Sequence, residues 1–106
     1  MTKNLIFLDF EGFENKDPSL VGFHNKGEFK QIILDKSFMA ISNETDIDFL
    51  EYRDFCNFIF EICLRDTAYI ASYSSLEQRL INKELKTDIP FIDLRIQIKK
   101  MVNRNH

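Results

Sequence analysis

Tryptophan is absent from the sequence, and cysteine occurs twice. Without Trp, a core has to be packed by the eleven Phe together with Ile and Leu. Cys56 and Cys63 would lie roughly 10 Å apart along the axis of a shared helix. A disulfide needs Cα atoms within about 7 Å. Both therefore read as reduced core thiols, which fits a cytoplasmic location. No His stands near them in sequence to build a zinc site. No apolar run approaches the ~20 residues that cross a bilayer, so no membrane partner is expected. The chain goes from Met1 to Asn4 and into its first apolar segment without the h-region of a signal peptide. There is no internal repeat and no low-complexity tract.

An excess of positive charge is also missing. The formal net charge is −3, so nothing advertises bulk electrostatic attraction to nucleic acid. It does not exclude a site built of carboxylates, which carries surplus negative charge until a metal offsets it. What is present is enough apolar material for one domain over residues 1–106: hydrophobic residues make up 44% and charged residues 29%. Charge does not dominate, so a disordered chain is not expected.

The apolar segments are short and separated by turn signals. Asn4–Phe10 reads as a strand that is apolar on both faces, as a central strand covered on two sides should be. Glu14–Ser19, with Pro18, reads as a loop. Leu20–Asn25 and Phe29–Asp35 read as strands two and three, joined by Lys26–Glu28, where Gly27 supplies a positive φ. Such short connections make the three an antiparallel meander. Lys36–Asp46 is expected to be a loop with an apolar anchor at Phe38, Met39 and Ile41. The spacing of Ile47, Leu50, Phe55, Phe58, Ile59 and Ile62 predicts a helix over Asp46–Leu64, with Thr45 and Asp48 at capping-box spacing. Ala68–Tyr73 follows as a strand parallel to the first, because a helix crosses between them. Ser74–Leu85 is a second helix with Ser74 as N-cap. Lys86–Ile89 is a loop, Pro90 stops any helix, Phe91–Leu94 is a short strand, and Arg95–Asn103 is a last, basic helix. The result is an α/β fold with a mixed sheet, antiparallel first and crossed over by helices afterwards. Sites in such sheets gather at the carboxyl ends of parallel strands.

Asp9 and Glu11 stand at that end of the first strand. Two residues apart, they project from the same face, with Cα atoms roughly 6.5–7 Å apart. Two carboxylates that close repel unless one is protonated, a base pairs with them, or a divalent cation joins them. Oxygen ligands suit Mg²⁺ or Mn²⁺, and two such ions form the clamp of in-line phosphodiester hydrolysis. The same pattern also suits a strand that ends in two solvated acids. Glu77, in the first turn of the second helix, can approach the same face; it also stands where a capping box places Glu. Asp93 is either a further ligand or the cap of the last helix. Arg95, Lys99, Lys100 and Arg104 line that helix, as phosphate contacts or as a solvated face. His24 and His106 have no motif around them.

Taken together, three segments resemble a known family. FLDFEGF (Phe7–Phe13) resembles the first motif, Asp-x-Glu, of the Asp-Glu-Asp-Asp (DEDD) exonuclease superfamily. YIASYSSLEQRLI (Tyr69–Ile81) resembles its second motif. The nearer match is to the RecB-associated ribonuclease-H-like nuclease domains, whose pattern is Tyr-Asn-x-x-Phe-Glu followed by a basic residue and Leu. Here it stands as Tyr73-Ser74-Ser75-Leu76-Glu77-Gln78-Arg79-Leu80, with Ser74 in place of Asn. FIDLR (Phe91–Arg95) resembles the Asp-Leu strand that follows. The resemblance runs from Leu5 to about Lys100.

It implies a ribonuclease-H-like fold and metal-dependent 3′–5′ exonuclease activity on nucleic acid by a two-metal route. Mg²⁺ or Mn²⁺ would be held by Asp9, Glu11 and Glu77, with Asp93 as a fourth candidate. Asp9 would bridge both ions, and Glu11 would bind the one that activates water. Apart from the resemblance, Arg79, Arg95 and Lys99 are the candidate nucleic-acid contacts that the residues themselves offer. The family's last carboxylate, with a Tyr or His base before it, belongs to a later helix that is not found within residues 1–106. The expectation is therefore an incomplete site, a site completed by a second chain, or an inactive module that binds a protein partner or nucleic acid. The haloacid-dehalogenase-like phosphatases also end their first strand in an acid pair. They need Asp-x-Asp followed by Thr or Val, whereas Glu11 here is followed by Gly12 and Phe13.

Overall fold

The structure is a computed structural model that describes residues 4–13 and 17–104. Part of the expected Glu14–Ser19 loop, and His106, lie outside the described residues. The chain forms β1 (Asn4–Glu11), β2 (Leu20–Asn25), β3 (Glu28–Ile33), a short 3-10 turn (Lys36–Phe38), α1 (Met39–Glu44), β4 (Asp48–Phe49), α2 (Tyr52–Asp66), β5 (Ala68–Ser72), α3 (Leu76–Leu85), β6 (Phe91–Asp93) and α4 (Leu94–Arg104). The strands make one mixed six-stranded sheet in the order β4-β3-β2-β1-β5-β6. The pairs β1–β2 and β2–β3 are antiparallel, and β1–β5, β5–β6 and β3–β4 are parallel. The meander and the parallel crossover are thus as the sequence implies. Among the described residues no helix is long and apolar enough to cross a membrane.

The β2–β3 hairpin closes through Lys26 and Gly27, at φ 52° and 81°. Two consecutive left-handed residues between Asn25 and its partner Glu28 form the tight turn whose twist matches that of the flanking strands. Glycine adopts that geometry readily, and Lys26 accepts it at some steric cost.

β1 alternates strictly. Ile6, Leu8 and Phe10 are buried, while Phe7, Asp9 and Glu11 are exposed. The buried set meets α2: Phe10 lies edge-on to Phe55 (6.0 Å, 76°) and to Tyr52 (5.9 Å, 73°), the geometry that ring quadrupoles favour. Ile59, Ile62, Ile70 and Ile81 belong to the same cluster. Burying each of these side chains contributes about 1.5–3 kcal/mol. β1 is therefore not covered on two sides, as its apolar run predicts, because Phe7 remains 43% exposed. One face carries the core; the other is open.

Two further expectations need correction. The helix predicted over Asp46–Leu64 begins only at Tyr52, because Asp48 and Phe49 pair in parallel with Ile32 and Ile33 at the sheet edge. The Leu50 amide then donates to the Ile33 carbonyl at 3.0 Å. Ile47 and Leu50 are half-buried at the sheet edge and do not belong to a helix face. Thr45 does not open that helix: it is the C-cap of α1, with its hydroxyl donating to the Ile41 carbonyl at 2.7 Å. The expected loop over 36–46 is instead the 3-10 turn followed by α1. Asp35 caps that turn, accepting from the Ser37 amide and hydroxyl at 2.9 and 2.8 Å.

Cys56 and Cys63 lie on the core side of α2, free and buried. Burial pushes the Cys56 thiol up to about 12 and the Cys63 thiol up to about 11. The folded chain therefore holds these protons to higher pH than the unfolded chain, whose thiols titrate near about 8.5. Their contribution to stability is full below that value and is lost as pH rises toward the folded values. The urea midpoint is expected to fall between about pH 8 and about pH 10 by linkage. A Cys56→Ala/Cys63→Ala variant should lose part of that decline. Ellman's reagent at neutral pH should leave both thiols unreacted until urea unfolds the chain.

Candidate functional site

On the open face of the sheet lies a groove of about 530 Å³, lined by residues of β1, β2, β3 and β5, by the turn after β5, by Glu77 of α3 and by Leu94 of α4. Strand register sets its floor. Phe7 pairs with His24 across β1–β2, and His24 pairs with Phe29 across β2–β3. These three rings form one row, with His24 and Phe29 stacked at 6.1 Å and 11°. The next row is Asp9, Gly22 and Gln31. A Cβ on Gly22 would meet the Phe29 ring at 3.2 Å. The glycine thus lets that ring lie across the strand beside Asp9. Glu11 pairs with Leu20 one row further on. Both acids belong to the ladder, not to a frayed strand tip.

The third acid enters from α3. β1 pairs with β5 only from Asn4 to Phe7, and β1 then runs on without that neighbour. The Phe10 amide, on the β5 side, has no strand carbonyl to meet. It donates instead to Glu77 Oε2 at 3.5 Å, while the Ser74 hydroxyl donates to Oε1 at 3.3 Å. Ser74 Oγ also accepts from the Leu76 amide at 3.3 Å, so it caps α3 from one residue before the geometric N-cap, Ser75. Glu77 is only 6% exposed and has no ion pair among the described residues. Its carboxylate is thus buried between two neutral donors at long range, where an unpaired charge is costly.

Asp9, Glu11 and Glu77 line this one groove. They do not converge into a ready coordination sphere: among the described residues, no three His, Cys, Asp or Glu side chains come together closely enough to hold a metal ion. Asp93 stands outside the groove lining and caps α4, its Oδ1 accepting from the Arg95 and Ile96 amides at 2.9 and 3.3 Å. Arg79, Arg95 and Lys99 are exposed and also lie outside the lining. The Arg95 guanidinium lies 4.0 Å from Asp93. His24, which has no motif in sequence, is in the groove. Only the exact hairpin register, set by the Lys26–Gly27 turn, reveals it.

The surroundings of Glu77 generate a stability test. Glu77→Gln keeps an oxygen for the Phe10 amide and removes the buried charge. In metal-free buffer it is expected to raise the unfolding free energy by about 0.5–2 kcal/mol, the range common for single stabilising substitutions. Urea titration measures this directly; a loss of stability would make Glu77 a structural cap. Scans of protein-family models, of curated proteins and of solved structures return no match for this chain.

Proposed function

We propose that the chain is a ribonuclease-H-like domain of the DEDD exonuclease type, hydrolysing phosphodiesters in nucleic acid with a divalent metal. The observation that carries this reading is the placement of Asp9, Glu11 and the buried Glu77, which has no ion pair among the described residues, around one groove at the carboxyl end of β1. The antiparallel meander followed by helical crossovers supports the same reading, since it is the element order that the motif resemblance implies.

The donor set suits Mg²⁺ or Mn²⁺. Mg²⁺ keeps several waters and takes one or two carboxylates, leaving substrate phosphate to complete its shell. Asp9 and Glu11, exposed and on one face, meet that need without a preassembled trio; Glu77 is the third candidate. When bound, the metal supplies Lewis-acid activation of the phosphodiester and of water. The remaining roles fall to the chain. His24 sits diagonal to Asp9, at a spacing of about 7–8 Å, a place from which its imidazole could serve as general base toward an attacking water. Phe7 and Phe29 offer ring faces on which a base can stack.

A second reading, an inactive module that binds a protein partner or nucleic acid, is favoured by one observation: Glu77 is turned to the Phe10 amide and Ser74 and does not complete a three-ligand cluster. Degradation of labelled single-stranded DNA and RNA in Mn²⁺ separates the two. The expected result is hydrolysis that EDTA abolishes and that Asp9→Ala lowers about a hundredfold or more, beyond the usual cost of disturbing a metal's outer shell. Activity that survives Asp9→Ala unchanged overturns the catalytic reading, and no activity in any metal leaves the binding module.

A further inference from the structure

We propose that the groove also receives α4 of a second copy of this chain, so that two copies exchange their last helices. Leu94, Ile98, Met101 and Val102 recur at i, i+4, i+7 and i+8, which draws one apolar stripe along α4. Ile98, Met101 and Val102 are 44%, 61% and 50% exposed. Every residue from Arg95 to Asn103 is exposed, and the main contacts of α4 are with β5 and β6 near its start. A helix of eleven residues is marginal in water below about 12–15 residues without a packed face. The stripe therefore calls for a cover.

Charge identifies the cover. Arg95, Lys99 and Lys100 flank the stripe, and the two lysines have no ion pair among the described residues. The groove presents the opposite: Asp9, Glu11 and Glu77 on its walls, the exposed rings of Phe7 and Phe29 on its floor, and no Lys or Arg among its lining residues. A basic amphipathic helix lying in an acidic, aromatic groove is a familiar docking mode, and aromatic faces attract cations further. Leu94, the first residue of α4, already lines the groove. A two-fold axis near Leu94 would therefore carry each helix from the rim of its own groove into that of its partner. The contact would be self-complementary and would close as a dimer. This inference is independent of the phosphodiester reading and is tested without metal or nucleic acid.

Sedimentation equilibrium of the full chain in EDTA, at a concentration on the order of 100 µM, should give a dimer that weakens as salt screens the charges. The helix variant Lys99→Glu/Lys100→Glu and the groove variant Asp9→Lys/Glu11→Lys change only exposed positions. Each alone should raise the dimer Kd about tenfold or more, because like charges then face each other. Mixed one to one, they should form a heterodimer, since both helix–groove contacts again join opposite charges. Met101→Asp should weaken the dimer in either setting. A monomer at this concentration, a dimer indifferent to these substitutions, or a mixture that stays monomeric would each overturn the proposal.

Discussion

The two-residue period of β1 is the constraint on which the rest of the molecule depends. Ile6, Leu8 and Phe10 point into the core, so Phe7, Asp9 and Glu11 must point out of it. A slip of one residue would exchange the sets, exposing three large apolar side chains and burying two carboxylates. Burial of those three side chains contributes several kcal/mol by the usual area scale. The hydrophobic effect at the core thus sets the position of the acids on the open face. The packing of α2 against the sheet and the chemistry of the groove are two consequences of one register.

The second determinant is where β5 stops. Its ladder with β1 ends at Phe7 and Ala71, and the chain turns into α3 while β1 continues. This leaves a backbone amide at Phe10 that needs an acceptor, since unpaired buried donors are costly. Glu77 supplies it, and in doing so is drawn to the rim where Asp9 and Glu11 emerge. The capping-box spacing of Ser74 and Glu77 brings the side chain near, but the reciprocal bond is not made to the Ser74 amide. Ser74 gives its hydroxyl, and the other carboxylate oxygen turns to the strand. The cap of α3 and the backbone of β1 therefore draw on the same carboxylate.

Much of this architecture is legible in the residues themselves. Alternation and turn chemistry place β1, β2 and β3, and the Ser74 cap and Pro90 bracket the segment that holds α3. What the chain hides is tertiary. Ile47 and Leu50 fit a helical period as well as they fit a short edge strand, and only pairing with Ile32 and Ile33 decides between them. The run Leu5–Leu8 reads as apolar on both faces, because composition cannot say that no element covers Phe7. His24 gains its neighbours Phe7 and Phe29 only through cross-strand register. The acid pair at Asp9 and Glu11 is visible in sequence, whereas the burial of Glu77 depends on the amide that β5 leaves behind.

Charge joins the separate surfaces. Three carboxylates around an apolar floor make a field that favours any cation able to reach it, and in a groove with low-dielectric walls that preference is amplified. A divalent ion, as proposed, would satisfy the acids alone and leave Phe7 and Phe29 open to a base. A lysine-bearing helix, docked as proposed, would satisfy the acids and cover the rings at once. The two proposed occupants would need the same oxygens from Asp9 and Glu11, so each would exclude the other, and whichever bound more tightly would shift the population away from its rival. A metal-loaded groove would release α4, and a docked α4 would shield the groove from metal and nucleic acid alike. On the proposed reading, the acid pair on β1 would in this way couple assembly and chemistry.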